Sequence, residues 1–257
     1  METLMHTRAF TRRRTLELLR QPWFVAVTLV QPVVWLLLFG ALFKKVVEIP
    51  GFQGGSYIGF LMPGVVVMTA FFSAGWTGMS LIEDINRGIL DRLLASPARR
   101  AAVSLGGVIS NALSIVAQAL IIVGLGIAAG AHPHNGVLGI GTLLLVAVLI
   151  GSAFAALSNA LALVTRREES LIGAVQMLLL PLTFLSATFM QRSLLPGWIQ
   201  WVARFNPMNW AVDAARAAIS SGADWGLVGS RIGFLAALSL GCSLLATRAF
   251  GVYQRSL

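Results

Sequence analysis

Residues 137–164 read VLGIGTLLLVAVLIGSAFAALSNALALV, from Val137 to Val164, with no charged side chain along the way. About 20 consecutive apolar residues cross a bilayer core as a helix, so this stretch is long enough. A barrel strand would alternate polar and apolar residues over about 10 positions. A continuously apolar run instead fits a helix, which satisfies its own backbone hydrogen bonds in lipid. Five further stretches read the same way: Phe24 to Phe43, Tyr57 to Ile82, Val103 to Gly130, Leu171 to Met190 and Val228 to Phe250. The expected fold is all-α and integral to the membrane. It has six transmembrane helices in a single domain over residues 1–257, with the spans at 24–250 and a cytoplasmic tail at 251–257.

Composition agrees. The chain has 257 residues, of which 57% are hydrophobic and 11% charged, and a mean hydropathy of +0.81. A soluble domain of this length could not solvate such a surface, and the spans leave no room for a separate globular domain. The one cysteine, Cys242, falls inside the last stretch, which excludes a disulfide framework and marks a buried thiol.

The net charge of +9 is distributed by side of the membrane. With the N-terminus inside, thirteen arginines are cytoplasmic: Arg8, Arg12, Arg13, Arg14, Arg20, Arg87, Arg92, Arg99, Arg100, Arg166, Arg167, Arg248 and Arg255. Lys44, Lys45, Arg192, Arg204, Arg216 and Arg231 fall on the other side. The positive-inside rule therefore places both termini in the cytoplasm. The basic balance is accounted for by topology, and no nucleic-acid partner is expected. Arg12-Arg13-Arg14 before an apolar run resembles a twin-arginine export signal. No small-residue cleavage site follows Phe43, however, and five more spans come after it, so the first span is expected to stay.

Residues 1–21 read as a cytoplasmic amphipathic helix on the membrane surface, with Leu4, Phe10, Leu16 and Leu19 towards lipid, ended by Pro22. Gln31-Pro32 marks a kink in the first span, and Lys44 to Ser56 a turn-rich external loop. Glu83 to Pro97 is the longest charged segment between spans. Ile85, Ile89 and Leu93 recur every four residues, with Leu90 and Leu94 beside them, giving one apolar helical face. Acidic residues gather at its start and arginines towards and beyond its end, as the helix dipole favours. Ser96-Pro97 stops it. Gln191 to Gly226 is too polar to span but carries Trp198, Trp201, Trp210 and Trp225. Pro196-Gly197 and Asn206-Pro207 divide it into two short helices, expected at or partly inside the outer leaflet.

Several chemistries are excluded. The only lysines, Lys44 and Lys45, follow Phe43 in an external loop, so the chain has no phosphate-binding P-loop and no ATPase of its own. His132 and His134 flank a proline without a third ligand nearby, so no metal site is expected. No histidine lies within a span, which argues against an intramembrane serine protease. No Asp, Glu, Lys or Arg sits mid-span, which argues against an ion-coupled carrier. The notable polar residues in the spans are Asn111, Gln118, Asn159, Gln176, Thr183 and Ser186. They either bond across helices or line a substrate path.

Taken together, the chain resembles the type-2 permease subunits of ATP-binding cassette exporters, in particular the daunorubicin-resistance branch. The resemblance covers nearly the whole chain. It rests on Arg20-Gln21-Pro22 leading to the first span at Gln31 to Gly40, and on Glu83 to Pro97 with Gly88. Leu195-Pro196-Gly197-Trp198-Ile199 through Phe205-Asn206-Pro207-Met208, before the last span, completes it.

The resemblance implies a bacterial plasma-membrane permease that exports a hydrophobic drug, antibiotic or lipid-like cargo by alternating access. It implies a separate ATPase partner that binds ATP and magnesium, with no cofactor in this chain, and a second permease subunit, as a homodimer or a paired permease. It makes Glu83 to Pro97 a coupling helix, with Glu83, Asp84, Ile85, Gly88, Ile89, Asp91, Arg92, Leu93 and Leu94 facing the ATPase. A lipid-linked polysaccharide exporter shares this architecture, and a non-transporting membrane anchor or sensor subunit is the reading from another class.

The charge asymmetry makes the topology testable. A cysteine at Asn135 is expected to react with an impermeant thiol reagent in intact cells and one at Glu168 to stay protected; the reverse pattern would overturn the orientation.

Overall fold

The computed structural model describes residues 29–49, 56–88 and 100–255, and the regular structure within them is helical, with no strand. Helix α1 is Leu29–Leu42. It is followed by α2 (Tyr57–Gly75) and α3 (Thr77–Asn86), then α4 (Arg100–Ala128) and α5 (Gly136–Thr165). After α6 (Glu168–Phe184) come the short α7 (Gly197–Ala203) and α8 (Pro207–Ile219), and α9 (Trp225–Arg255) closes the chain. Four helical segments among the described residues are long and apolar enough to cross a membrane: Tyr57–Asn86, Ile109–Ala128, Gly136–Thr165 and Trp225–Tyr253. Helix α1 is apolar but shorter, and α6 has 17 residues. Residues 1–21 and the turn signals at 50–55 lie outside the described residues.

Helix α5 is the centre of the bundle and touches α2, α3, α4, α6, α8 and α9. Its buried face is built from Gly139, Ala147, Gly151, Ala153, Ala155, Ser158 and Ala162 alternating with Leu143, Val146, Ile150 and Phe154. Small residues let backbones approach closely, which is how helices gain packing when lipid offers no hydrophobic drive. Helix α2 is enclosed, with an unbroken buried run from Leu61 to Phe71. Helix α9 and the described part of α4 present most of their surface outward.

The long second element is broken rather than continuous. It stops at Trp76 and restarts as α3. Ser158 of α5 fills the break: its hydroxyl donates to the Gly75 carbonyl at 2.5 Å and accepts the Gly78 N–H at 3.0 Å. Glycine is needed here, because a Cβ at Gly78 would fall 2.6 Å from the Ser158 carbonyl oxygen.

Three expectations change. The apolar stretch expected to be helical from Leu171 to Met190 leaves the helix at Phe184, and the following residues are irregular backbone. Side chains of α8, described below, replace the lost helical bonds. The helix expected from Glu83 to Pro97 does not run through Gly88. Residues Glu83–Asn86 are the last turn of α3, and Gly88 takes a left-handed φ of +64°, which ends the helix. The remainder of that segment, with Ile89, Asp91, Arg92, Leu93 and Leu94, lies outside the described residues. The two short helices expected in Gln191 to Gly226 are α7 and α8, but only α7 is a surface helix. Trp198 and Trp201 of α7 are each 63% exposed, whereas α8 packs against α2, α5, α6 and α9. In the first span, a wide π turn at Trp35–Phe39 follows Pro32 and brings the Trp35 and Phe39 rings to 4.6 Å.

The Gly78–Ser158 contact predicts that Gly78→Ala, by forcing backbone apart, costs about 1–3 kcal/mol of stability. A lowered thermal midpoint of the purified protein in detergent is the expected reading; an unchanged midpoint would show that the close approach is dispensable.

Candidate functional site

Of the six polar residues marked in the spans, the structure joins two. Thr183 and Ser186 are buried at the end of α6. Thr183 donates back to the Leu179 carbonyl at 2.8 Å, and Ser186 donates to the Thr183 carbonyl at 2.6 Å. The Ser186 hydroxyl also lies 2.6 Å from that of Thr188. Gln118 is buried on α4, and its Oε1 has no hydrogen-bond partner among the described residues. Asn111 on α4 and Asn159 on α5 are half-buried, and Gln176 on α6 faces outward. Among the described residues, no hydrogen bond ties Asn111, Asn159 or Gln176 to the Thr183–Ser186 pair.

Thr183 and Ser186 belong to a larger arrangement that the sequence reading missed. After α6 ends, the carbonyls of its last residues and of the irregular segment are taken up by donors from elsewhere. Asn206 Nδ2 donates to Leu182 at 2.6 Å and to Leu185 at 3.1 Å. The Arg216 guanidinium donates through Nη1 to Ala187 at 2.5 Å, through Nη2 to Thr188 at 2.6 Å, and through Nε across to Phe60 of α2 at 3.0 Å. The Tyr57 hydroxyl donates to Phe189 at 2.9 Å. Asn209 Oδ1 accepts the Ala187 N–H at 3.0 Å, and its Nδ2 donates to Asp213 at 2.9 Å. Buried backbone needs such partners, since each unsatisfied group away from water costs heavily.

Charge is enclosed with these bonds. Arg216 is half-buried, and its guanidinium lies 3.5 Å from the centre of the Phe60 ring. Asp213 stands one turn before it on α8. Arg231 of α9 approaches Asp213 to 3.7 Å. Desolvation raises the Asp213 carboxyl above its ordinary range, against the pull of Arg216, Arg231, Arg192 and the Asn209 bond. Desolvation also lowers Arg216 to about 9, opposed by Asp213 and Tyr57, so the guanidinium stays charged at neutral pH. The far end of α8 is fixed too: Asn135, in the turn between α4 and α5, donates to Ala218 at 2.8 Å and Ser220 at 2.9 Å.

The signal for this site was present in the sequence. Asn206, Asn209, Asp213 and Arg216 recur at spacings of three, four and three, a polar stripe on one face of a helix whose other positions include Ala211, Val212, Ala214, Ala215 and Ala218. That stripe is the periodicity of a buried polar seam. The tryptophans around it suggested a surface helix instead.

At the opposite end, Glu83 is exposed and pairs with Arg87 one turn on. Asp84 is half-buried, and Ile85 packs inside the chain against Leu163 and Tyr253. Gly88 has open space where a Cβ would stand.

Residues 5–220 match the ABC-2 type transporter family. The chain is 31% identical over 189 residues to a daunorubicin resistance ABC transporter permease protein of Streptomyces coeruleorubidus, covering 72% of this chain and 64% of that protein. It is 30% identical over 235 residues to a Porphyra purpurea protein classed as a transport permease, covering 90% and 79%.

Arg216→Ala leaves three carbonyls without their donor, and a buried acceptor left unsatisfied costs about 1–3 kcal/mol. Arg216→Ala is therefore expected to lose that much stability and membrane abundance. Arg216→Lys should recover only part of it, since one ammonium cannot span three carbonyls. Normal abundance and thermal midpoint for Arg216→Ala would overturn the role assigned to this residue.

Proposed function

The chain belongs to the ABC-2 type transporter family, and on that premise we propose that it is the membrane-spanning permease of an ATP-driven exporter. The match over residues 5–220 is the observation that carries the reading. The cargo class is a hydrophobic drug, antibiotic or lipid-like molecule, in keeping with the resistance permease among the relatives. The working unit is two permease copies with two copies of a separate ATPase, which binds ATP and magnesium; this chain holds no cofactor. Six spans cross a bacterial plasma membrane with both termini in the cytoplasm. In this arrangement α1 and α6 complete the set begun by the four longer helices.

ATP binding draws the ATPase copies together, and the stroke enters through the segment after α3. Ile89, Leu93 and Leu94 seat in an apolar groove of the ATPase, while Glu83, Asp84, Asp91 and Arg92 fix the register. Ile85, already packed against α5 and α9, carries the movement into the bundle. Gly88, left-handed and open, gives the sharp change of direction between the two. The halves then rock between inward-open and outward-open states as rigid bodies. Gln118, with its buried unpaired oxygen, and the Thr183–Ser186 pair are the polar residues best placed to meet cargo, with Asn111, Asn159 and Gln176 as further members of the path.

A buried Leu or Ile contributes about 1.5–3 kcal/mol. Ile89→Asp and Leu93→Asp are therefore expected to abolish co-purification of the ATPase and export, with insertion and abundance unchanged. The purified chain alone should show no ATP turnover. Variants that insert, retain the ATPase and still export would reject the docking assignment.

A further inference from the structure

Apart from the main core, the chain has a second, small apolar cluster where α3, α5 and α9 end together. Leu163 and Tyr253 are each 3% exposed, and Leu81, Ile85, Ala249 and Phe250 pack around them. Arg166 closes it. This residue follows the end of α5 with a φ of +52°, the only non-glycine positive φ among the described residues. The turn brings its guanidinium over the Tyr253 ring, 4.8 Å from the centre, and its Nε to 3.4 Å from the Leu163 carbonyl. A left-handed arginine is an unfavourable conformation that persists only when its surroundings hold it. Here the ring and the carbonyl do so.

A tyrosine near the end of a transmembrane helix ordinarily sits at the headgroup level with an exposed ring. Tyr253 is instead enclosed by its own chain, so lipid anchoring does not explain it. Its neighbours suggest another role. Ile85 lies three residues before Gly88, at the end of the rod that leads to the ATPase-docking segment. That rod, α3, is fastened to α5 at its start by Ser158 and at its end by Leu163. Tyr253 ties α9 to the same point. From Tyr253, α9 runs back to Arg231, roughly 33 Å at 1.5 Å per residue. Arg231 meets Asp213, next to the Arg216 bonds at the other end of the bundle. A displacement of α3 that keeps the cluster intact must therefore move the ends of α5 and α9 with it.

We propose that Tyr253, held by Arg166, is a positioning residue for the coupling stroke: it latches the end of α3 to α9, so that movement at the docking segment reaches the Asp213–Arg216 region. This rests on the ATPase-coupled reading above. Spatial continuity alone does not establish coupling, which requires an element whose state both ends bias. The test therefore reads the far end directly.

The permease and its ATPase are reconstituted together in lipid nanodiscs. Backbone hydrogen exchange of residues 185–220 is then compared with and without a non-hydrolysable ATP analogue. The wild type and Tyr253→Phe, which keeps the ring, are expected to show a nucleotide-dependent difference there. In Tyr253→Ala that difference should shrink at least about fivefold, the lower range of typical coupling between sites, while the bound ATPase stays. Arg166→Gln, at an exposed side chain, should weaken it in the same direction and decides the matter if Tyr253→Ala fails to fold. A full difference in a folded Tyr253→Ala, or in Arg166→Gln when that variant decides, would overturn the latch. So would a wild type that holds the ATPase yet shows no difference. A wild type that fails to hold the ATPase would instead remove the exporter reading, and the latch with it.

Discussion

Three backbone carbonyls, from two distant parts of the chain, converge on the guanidinium of Arg216. Much of the arrangement at that end of the bundle follows from this. Helix α6 stops before its apolar sequence does, and buried non-helical backbone survives only where other groups satisfy it. Arginine suits the task because its planar fork presents donors in fixed directions and does not lose its charge readily. Asp213 balances the charge, and Asn206 and Asn209 take the neighbouring groups that the fork does not reach. A short helix that reads as polar punctuation is thereby built into the bundle.

Helix α5 packs against α8 at that end and touches most of the other helices. Its small residues let α2, α8 and α9 approach together. At Ser158 it also supplies the one hydroxyl that both gives and accepts a bond across the break between α2 and α3. That break separates a deeply enclosed helix from a short, partly exposed one. The helices meet at joints of different chemistry. Here the joints are polar at one end, a serine between α2 and α3, and apolar with a covering arginine at the other.

The two ends differ in chemistry for a physical reason. Where irregular backbone is enclosed, its carbonyls take donors from Arg216 and Asn206, and its Ala187 N–H finds an acceptor in Asn209. Where three regular helices end together, a cluster of Leu163, Tyr253, Ile85 and Phe250 holds by packing, and Arg166 takes up the Leu163 carbonyl.

Continuous apolar runs of sufficient length, without charge, determined by themselves that the chain is a helical membrane protein. Length and backbone satisfaction in lipid leave little choice, and the two short helices after Pro196 and Asn206 were legible because proline and glycine punctuate locally. Periodicity also found the apolar face of Ile85, but not that the helix ends at Gly88, since a glycine within a helical pattern reads equally as tolerated or terminal until φ is known. The early end of α6 and the burial of α8 were decided by the tertiary structure alone. The largely apolar run from Leu185 to Met190 gives no local stop signal, and only side chains more than 20 residues away in sequence, Asn206 and Arg216 as donors and Asn209 as acceptor, make the irregular path the better one. Charges at 213 and 216 suggested water for the same reason: sequence shows that a group is polar, and only the fold shows which partners it has found.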